Sequence, residues 1–288
     1  MQCSICGKKT ASVYRPHVKS VYSSKAYDVM HCTNCGHFFT RPKFTQAELD
    51  DIYYNRYSYD AHALIEKEKR IRAKNYAKYI AALPGVSSVL EVGCMHGLLL
   101  VQLQKLGLKV SGVELDPEAV KYCRKLGLKV VQSSIEDHLE KATNKDDVIV
   151  MSHVIEHITD PIKQLSELRK RMPKNGRLVL ITPNSMAPSR KMFGRYWGYW
   201  QVPVHINHFN KSSIKEMLQK SGFKVNEIKY YGADSLFFLS SLANVLGSRN
   251  ETKQLSPSKK ALVKAATVVL KPWYYLGSED MLVVAEKA

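Results

Sequence analysis

The segments VLEVGCMHG (89–97) and GVELD (112–116) decide the fold of this chain. In the first, an apolar run carries Glu91 and then enters a turn whose loop begins and ends with glycine. In the second, another apolar run ends in Glu114, 23 residues after Glu91. A βαβ unit of this kind holds an adenosine-bearing cofactor, because the loop backbone approaches the ligand and the second carboxylate reaches the ribose hydroxyls. The two segments therefore predict a parallel sheet with a nucleoside site at its edge.

Strand-like and helical patterns alternate along the chain, which is typical of a doubly wound sheet. The predicted strands span residues 89–92, 109–114, 130–131, 148–151, 177–182, 225–231 and 281–285. The predicted helices of this region span residues 98–106, 117–126, 136–142, 161–172 and 212–221. We expect one large α/β domain preceded by smaller elements.

Two Cys-x-x-Cys pairs stand near the start of the chain, Cys3 with Cys6 and Cys32 with Cys35, with 25 residues between the pairs. A glycine follows each pair and allows the tight turn that aims backbone amides at the sulfurs. Four thiolates at this spacing match a tetrahedral zinc site, and the segments between them suit the strands of a zinc ribbon. We predict a structural zinc ion there rather than a disulfide or a redox pair.

The formal net charge is +17, and it is concentrated on the two flanks of the chain. Residues 1–85 carry a net +7 and residues 186–288 a net +8, whereas residues 86–185 carry +2. Acidic partners such as RNA, phosphorylated sugars or a membrane surface would be drawn to the flanks. An equally good interpretation is that a basic surface keeps the protein in solution.

The first residues contain no apolar signal-peptide core, and no run approaches the roughly 20 apolar residues of a membrane-spanning helix. We therefore expect a cytoplasmic protein with reduced thiols. Cys94 and Cys123, inside the βαβ unit, are expected to be packing residues. Two amphipathic stretches at 236–246 and 261–276 fit a substrate lid or a dimer contact better than a membrane interface.

The sequence divides into a zinc ribbon at 1–44, a helical connector at 45–85 and a Rossmann-like domain at 86–288. A proline and a glycine end the connector. Residues 232–280 are expected to form a helical insertion between the last two strands of the large domain.

Four motifs resemble, in order and spacing, those of class I S-adenosylmethionine-dependent methyltransferases. They are EVGCMHG (91–97), Glu114, DVIVMSHVIEHITDP (147–161) and LITPN (180–184). An N-terminal zinc ribbon ahead of such a core is similar to a subgroup that acts on sugars and other small metabolites. The resemblance implies the class I methyltransferase fold, a Rossmann-like seven-stranded doubly wound α/β sheet, and S-adenosylmethionine as the cofactor.

The resemblance also implies roles for individual residues. Glu91 and Gly93 would shape the pocket for the methionine part of the cofactor, and Gly97 would start the following helix. Glu114 would bind the ribose hydroxyls. In the middle of the loop Met95 replaces the usual glycine, so its side chain must point away from the cofactor or the cofactor must sit differently.

Three further cofactor-binding residues follow from the same resemblance. Ser134 occupies the segment that flanks the adenine, at a position where Asp is common, while Ser152 and His153 follow the fourth strand beside the sulfonium. Binding of NAD(P) is the weaker alternative, because the loop lacks the Gly-x-Gly-x-x-Gly pattern that passes a pyrophosphate over the helix N-terminus.

The string HVIEH (153–157) has two metal-binding interpretations. It matches an inverted zinc-peptidase motif, but it follows a strand directly and meets a proline soon afterwards, which argues against a long helix. Small-RNA methyltransferases resemble this chain here and bind a divalent ion through such residues. Glu156, His157 and either His205 or His208 could hold an ion, although the simpler interpretation is that Glu156 and His157 fix the loop.

The aromatic-rich segments 193–200 and 205–209 follow the fifth strand, where the chain crosses above the cofactor in this fold. Their aromatic residues are expected to wall the acceptor pocket and exclude water, with ordinary core packing as the alternative. His205 and His208 are the best candidates for a catalytic base, because an imidazole accepts a hydroxyl or amine proton near neutral pH. His153 is the third candidate.

We therefore predict a class I methyltransferase whose acceptor is a small molecule, such as a sugar or another metabolite, and phosphorylated in view of the basic flanks. Two alternatives stay open. One is an RNA methyltransferase that holds nucleic acid with the ribbon and the flanks. The other is a binding protein without cofactor, which Met95 would permit. A homodimer is compatible with the sequence.

Overall fold

The computed structural model describes residues 1–19, 25–42, 66–141, 145–232, 235–246 and 278–288, with a few isolated positions between them. The strands in these residues are β1 (Ala11–Lys19), β2 (Ala26–Cys32), β3 (Phe38–Arg41), β4 (Ser88–Val92), β5 (Lys109–Glu114), β6 (Val130–Gln132), β7 (Val148–Ser152), β8 (Arg177–Pro183), β9 (Asn207–His208), β10 (Phe223–Tyr231) and β11 (Asp280–Lys287). The helices are α1 (Glu66–Ala81), α2 (Leu98–Lys105), α3 (Pro117–Lys125), α4 (Ile135–Lys141), α5 (Pro161–Arg171), α6 (Pro188–Phe193), α7 (Lys211–Lys220) and α8 (Ser235–Val245).

The chain divides into two compact units, and both are discontinuous in sequence. The ribbon unit comprises Met1–Arg56, Thr182–Ile214 and Lys229–Met281. The sheet unit comprises Tyr57–Ile181, Lys215–Ile228 and Leu282–Ala288. The N-terminal ribbon therefore shares a unit with segments that lie far from it in sequence. The sequence boundaries at residues 44 and 85 stay predictions.

The sheet unit is built on a seven-stranded sheet with the strand order β10-β11-β8-β7-β4-β5-β6. The neighbours from β8 through β7, β4 and β5 to β6 are parallel. Strand β11 runs antiparallel to its neighbours, because its start is bonded to the end of β8 and its end to the start of β10. The Asn184 amide donates to Glu279 O at 2.7 Å, and the Ala288 amide donates to Gly222 O at 2.9 Å. This sheet confirms the predicted fold class.

The two central strands, β4 and β7, consist mainly of buried apolar residues. Residues 148–151 of β7 are 0% exposed, and the apolar residues 89, 90 and 92 of β4 are buried as well. A strand that is apolar on both faces is typical of a parallel sheet covered by helices. The crossover helices α3 and α5 each begin with an Asp-Pro pair, in which Asp116 or Asp160 caps free backbone amides and the proline takes the first helical position.

The ribbon unit contains a four-stranded sheet with the order β1-β2-β3-β9. Strands β1, β2 and β3 form an antiparallel meander, as the zinc-ribbon pattern predicts. Strand β9 extends its edge, where Phe38 pairs with His208 and Phe39 with Asn207. This pairing was not predicted, because two residues are too few for a recognisable alternation of polar and apolar side chains.

Two predicted segments fall partly outside the described residues. The helical connector contains α1, whereas residues 43–47 and 49–65 are outside them. The amphipathic stretch 236–246 contains most of α8, and the stretch 261–276 lies almost entirely outside them. Of the helices that the structure describes, none is both long enough and apolar enough to span a bilayer.

Candidate active site

Glu114 ends β5 and holds the loop that follows β4. Its Oε2 atom accepts a hydrogen bond from the Met95 amide at 2.8 Å. Its Oε1 atom accepts hydrogen bonds from the amides of Leu115 and Asp116 at 2.7 and 3.0 Å. Because three backbone amides orient the carboxylate, its remaining acceptor capacity has a defined direction. The arrangement fits a carboxylate that accepts hydrogen bonds from ribose hydroxyls.

Glu91 lies on the neighbouring strand β4 and is only 4% exposed. Glu91 Oε2 is buried and has no hydrogen-bond partner among the described residues. Burial raises the pKa of the Glu91 carboxyl above its usual value, and the nearby Cys123 and Glu114 raise it further. A buried carboxylate oxygen without a donor is costly, so the site fits a ligand with a cationic donor, such as the ammonium group of S-adenosylmethionine.

Gly93 and Gly97 both adopt left-handed backbone conformations, with φ of 69° and 68°. A Cβ atom on Gly93 would lie 2.6 Å from Val154 Cγ2, and one on Gly97 would lie 2.5 Å from Leu128 Cδ1. Both positions therefore require glycine, for the turn and for close packing. The contact with Val154 also brings the segment after β7 against the loop after β4.

Met95 occupies the middle of this loop with a φ of 46°, which is unusual for a residue with a side chain. Its amide donates to Glu114, and its carbonyl oxygen accepts the Cys123 thiol at 3.1 Å. The left-handed turn is therefore kept without glycine, at a cost of about 1–2 kcal/mol that these bonds offset. In the described part of the sheet unit, His153 is the other non-glycine residue with positive φ (55°). Strain of this kind concentrates at functional sites.

The predicted residues Ser134, Ser152 and His153 lie at two places of the sheet unit, namely before α4 and at the end of β7. Ser134 Oγ accepts the Asp137 amide at 3.0 Å and caps α4. Ser152 is the last residue of β7 and pairs with Ile181 of β8. The His153 amide donates to Ile181 O at 2.8 Å, which holds the chain as it leaves the sheet. Their contacts with a cofactor stay predictions.

The HVIEH string follows β7 as a short loop. The residues Ile155–His157 form one 3₁₀ turn, which is too short to present two histidines on a helix face as a zinc peptidase requires. Glu156 is 1% exposed, and its Oε1 atom lies 3.4 Å from His153 Nδ1. This contact agrees with the interpretation that Glu156 helps to fix the loop.

The other two candidates for the base, His205 and His208, belong to the ribbon unit. His205 is 5% exposed, and its Nδ1 lies 2.8 Å from the Tyr199 carbonyl oxygen. Since a carbonyl can only accept, Nδ1 donates, and Nε2 is the basic nitrogen. His208 is 1% exposed and packs edge-on against Trp200, with ring centroids 4.7 Å apart. The centroids of the two imidazoles are 6.2 Å apart, so the structure brings these candidates together.

Three of the aromatic residues after β8 are core residues of the ribbon unit. Trp197, Tyr199 and Trp200 are at most 2% exposed and pack with apolar residues of the ribbon strands. The indole N–H groups of Trp197 and Trp200 donate to Ser189 Oγ and Gly194 O at 2.8 and 2.9 Å. The expectation that these side chains wall an acceptor pocket is therefore wrong, and the alternative of core packing holds for them.

The four N-terminal cysteines form one buried cluster, in which all sulfur atoms lie within 4.8 Å of one another. Cys3 and Cys35 have an Sγ–Sγ distance of 3.7 Å, and Cys6 and Cys32 one of 3.5 Å. A disulfide requires about 2.05 Å, whereas four sulfurs about 2.3 Å from a tetrahedral zinc ion are about 3.8 Å apart. Backbone amides also donate to the sulfurs of Cys3 and Cys32. The cluster fits a zinc ion.

A family model for a methyltransferase domain matches residues 63–228, which is more than half of the chain. The chain belongs to this family. Its fold is that of the class I S-adenosylmethionine-dependent methyltransferases, as the motifs predicted. The match includes Glu91, Glu114 and the loop between their strands.

Relatives and solved structures of this methyltransferase agree with that family. The ubiquinone biosynthesis O-methyltransferase of Xanthomonas oryzae pv. oryzae is 32% identical over 153 residues, which cover 49% of this chain and 62% of that protein. A protein of the same name from Rickettsia canadensis is 28% identical over 154 residues, or 49% of this chain and 64% of that one. This chain thus spans about three fifths of the length of these relatives. A methyltransferase structure from Archaeoglobus fulgidus has a TM-score of 0.53 at 20% identity, over 78% of this chain and 98% of that one, and shares the fold.

Sequence reasoning missed how the cofactor loop is held. The Met95 amide binds Glu114 whichever side chain this position carries, because every residue except proline has a backbone N–H. No residue type therefore signals the contact. A glycine would have indicated the left-handed conformation, and the methionine conceals it.

Proposed function

We propose that this methyltransferase transfers a methyl group to a hydroxyl of a small metabolite, such as a phosphorylated sugar or another acidic compound. The observation that carries the proposal is the buried Glu91 oxygen without a partner, on the strand next to the Glu114 carboxylate that three amides orient. Together they suit a cationic nucleoside cofactor. Relatives named O-methyltransferases support an oxygen acceptor, and the basic flanks favour an acidic one.

The two carboxylates have different tasks in this proposal. Glu114 accepts hydrogen bonds from the ribose hydroxyls, and Glu91 binds the ammonium group of the methionine part. Gly93 and Gly97 keep the loop in the left-handed turn that places its backbone at the ligand. When bound, S-adenosylmethionine supplies a methyl group on a positively charged sulfur, and the protein contributes position and exclusion of water.

Ser134, Ser152 and His153 are proposed to complete the cofactor site at the adenine and the sulfonium. Alanine substitution of each, followed by calorimetry with S-adenosylhomocysteine, tests these contacts. We expect affinity to fall by about tenfold where a hydrogen bond is lost. An unchanged dissociation constant removes that residue from the site.

His205 is the proposed general base for the acceptor hydroxyl. Its Nδ1–H is held by the Tyr199 carbonyl, which leaves Nε2 in the basic tautomer, whereas His208 packs against tryptophan in the core. We expect H205Q to lower kcat by roughly 10²-fold or more and to remove the acidic limb of the pH profile. H153Q tests His153, the third candidate for the base, in the same way. If H205Q keeps that limb and H153Q loses it, the base is His153.

The acceptor is tested with the zinc-loaded protein, methyl-labelled S-adenosylmethionine and a cell extract that contains metabolites and RNA. We expect label in the small-molecule fraction, and loss of that label when the extract is first treated with phosphatase. Label in the RNA fraction would support an RNA methyltransferase and contradict the proposal. Absence of both label and cofactor-binding heat would indicate a binding protein without cofactor.

We infer that Cys3, Cys6, Cys32 and Cys35 hold one structural zinc ion. These ligands fill all four positions of a tetrahedral site, so none is left for substrate. Elemental analysis should find one zinc per chain, and C35S should lose it together with part of the thermal stability. A preparation that contains no metal and melts at the same temperature as the zinc-loaded protein would contradict the inference.

A cytoplasmic location and a homodimer are also proposed from the sequence. Sedimentation analysis of the zinc-loaded protein tests the second, and a mass of one chain would contradict it.

A further inference from the structure

The chain segment that carries His205, residues 205–210 (the base segment), is bonded to the ribbon along its length. At its far end, Asn210 Nδ2 donates a hydrogen bond to Cys35 O at 3.1 Å. In its middle, the two residues of β9 pair with β3. At its near end, His205 itself contacts Thr40 of β3. The four-cysteine ribbon therefore supports the base segment from end to end.

Thr40 makes two hydrogen bonds to the base segment, and they differ in what they require of the sequence. Its amide donates to Ile206 O at 2.8 Å, a bond that any residue except proline could make at this place. Its Oγ1 hydroxyl donates to His205 O at 3.0 Å, which requires a short side chain with a hydroxyl group. Because Thr40 is only 1% exposed, solvent water does not compete for this hydroxyl.

The other groups of His205 are held by the chain that precedes it. Its amide donates to Gln201 O at 3.2 Å, and its Nδ1–H donates to Tyr199 O at 2.8 Å. Tyr199 is itself fixed, since it is 0% exposed and its hydroxyl donates to Asp280 Oδ1 at 3.1 Å. The amide, the carbonyl group and one ring nitrogen of His205 therefore each have a partner in the ribbon unit, and these partners set the direction of Nε2.

A general base needs this degree of restraint. Proton transfer requires the two heavy atoms to approach within about 2.6–3.2 Å, and a displacement of about 1 Å at a reacting group lowers the rate by about 100-fold. The carbonyl group of His205 shares its Cα atom with the imidazole, so a shift of this peptide moves the ring. Thr40 holds that peptide from 165 positions away in sequence, whereas Gln201 and Tyr199 are local partners.

We propose that Thr40 is a positioning residue, which keeps His205 in its reactive orientation through the hydrogen bond to the His205 carbonyl oxygen. The ribbon then has a task in methyl transfer beyond holding zinc, because β3 carries Thr40 and Cys35 anchors the other end of the base segment. The inference rests on the proposed function, in which His205 is the general base.

Two substitutions of Thr40 test the inference in the zinc-loaded protein with saturating methyl-labelled S-adenosylmethionine. T40V keeps the shape of the side chain and removes its hydroxyl, whereas T40S keeps the hydroxyl. We expect methyl transfer to the small-molecule fraction of a cell extract to slow by about tenfold or more in T40V, and to stay within about threefold of wild type in T40S. T33V is the matched control, because the Thr33 hydroxyl also donates to a ribbon carbonyl, that of Thr10, at 3.2 Å. It should keep the wild-type rate.

A spectroscopic measurement separates positioning from a general loss of stability. In protein labelled with ¹⁵N at histidine, the Nδ1–H signal of His205 is identified by its absence in H205Q. We expect this hydrogen to exchange with solvent about tenfold faster in T40V than in the wild type, T40S or T33V. All variants should keep the wild-type affinity for S-adenosylhomocysteine, which reports that they are folded. T40A also lacks the hydroxyl and should behave as T40V does, so the test does not depend on a single variant.

Wild-type transfer and exchange rates in T40V and T40A overturn the inference. Equal losses in T40V and T33V overturn it as well, because they would show a purely structural role, and so does a T40S protein as impaired as T40V. If T40V accelerates the exchange of the His205 Nδ1–H while H205Q transfers methyl groups at the wild-type rate, His205 is not the base. The proposed function then fails at that step, and the support of His205 by Thr40 stands.

Discussion

The two ends of the same parallel strands carry acids in opposite electrostatic situations. At the amino ends of β4 and β7, Asp147 Oδ2 accepts four hydrogen bonds, from the amides and hydroxyls of Ser87 and Ser88 at 2.7–3.0 Å. These bonds lower the pKa of Asp147 to about 2. At the carboxyl end of β4, Glu91 is more deeply buried, one of its oxygens has no partner among the described residues, and its pKa is raised.

The comparison shows that Asp147 contributes to folding stability, whereas Glu91 is available to bind a ligand. An acid whose acceptor sites are filled by its own chain ties two strands together and gains nothing from a ligand. An acid that is buried without a donor destabilises the free protein and gains from a cationic ligand. We therefore expect substitutions at one edge of the sheet to change stability, and substitutions at the other edge to change cofactor affinity.

Removal of the Glu114 carboxylate should have the largest effect. E114A frees three amides, including that of Met95, and removes the acceptor for the ribose hydroxyls. We expect affinity for S-adenosylhomocysteine to fall by roughly 100-fold or more in calorimetry. E118A, which removes an exposed acid on α3, is the control and should bind normally. Binding by E114A within about threefold of wild type would contradict this cofactor site.

The variant E91Q should separate affinity from stability. We expect affinity for S-adenosylmethionine to fall by about tenfold, because the ion pair with its ammonium group is lost. The free protein should melt at the same or a higher temperature, because a neutral amide is less costly to bury than a carboxylate. Differential scanning fluorimetry and calorimetry measure the two effects. A lower melting temperature together with unchanged affinity would show that Glu91 is a purely structural residue.

Proton release on cofactor binding should give a second measure of the difference between Glu91 and Asp147. Because the folded-state pKa of Glu91 is raised, its contribution to stability is present below the ordinary value of 4.5 and is lost as the pH rises through the raised pKa. A cationic ligand favours the ionised carboxylate, so binding below the raised pKa releases a proton. Calorimetry in two buffers of different ionisation enthalpy should detect this proton for the wild type and not for E91Q. Equal heats for the wild type in both buffers throughout the acidic range would argue against it.

The variant D147N should act on stability alone. Asp147 is partly exposed, so solvent limits the expected loss to about 1 kcal/mol, or a melting temperature lower by about 2–4 °C. Because the folded-state pKa is depressed from 3.8 to about 2, the contribution is present above 3.8 and is lost as the pH falls through about 2. The stabilities of wild type and variant should therefore converge in acid. A weaker affinity for S-adenosylhomocysteine in D147N would contradict the claim that Asp147 acts on stability alone.

The smallest effect is expected from M95G. Glycine removes the strain of the left-handed φ of 46°, and we expect the free energy of unfolding to rise by about 0.5–1 kcal/mol. Affinity for S-adenosylhomocysteine should stay within about threefold of the wild type, because the loop binds Glu114 through its backbone. M95A keeps a Cβ atom and serves as the control without relief of strain. Urea unfolding compares the two, and equal stabilities would mean that the turn is not strained.

Much of the fold and part of the candidate site could be predicted from local pattern. The βαβ unit was visible because an apolar strand, a glycine turn and a helix follow one another within a short stretch of sequence. Glu91 and Glu114 were identifiable because they lie at strand ends. The cysteine cluster was predictable from two short spacings, and the structure brings all four sulfurs together.

The sequence by itself thus determined the order of strands and helices, the two carboxylates and the four thiols, since each depends on residue type at short spacing. Only the tertiary structure decided that the tryptophans after β8 are core and that β9 joins the ribbon. It also decided which acid has its hydrogen bonds satisfied. Such facts depend on backbone groups, which every residue carries, and on contacts between residues far apart in the chain. No local pattern encodes either of them.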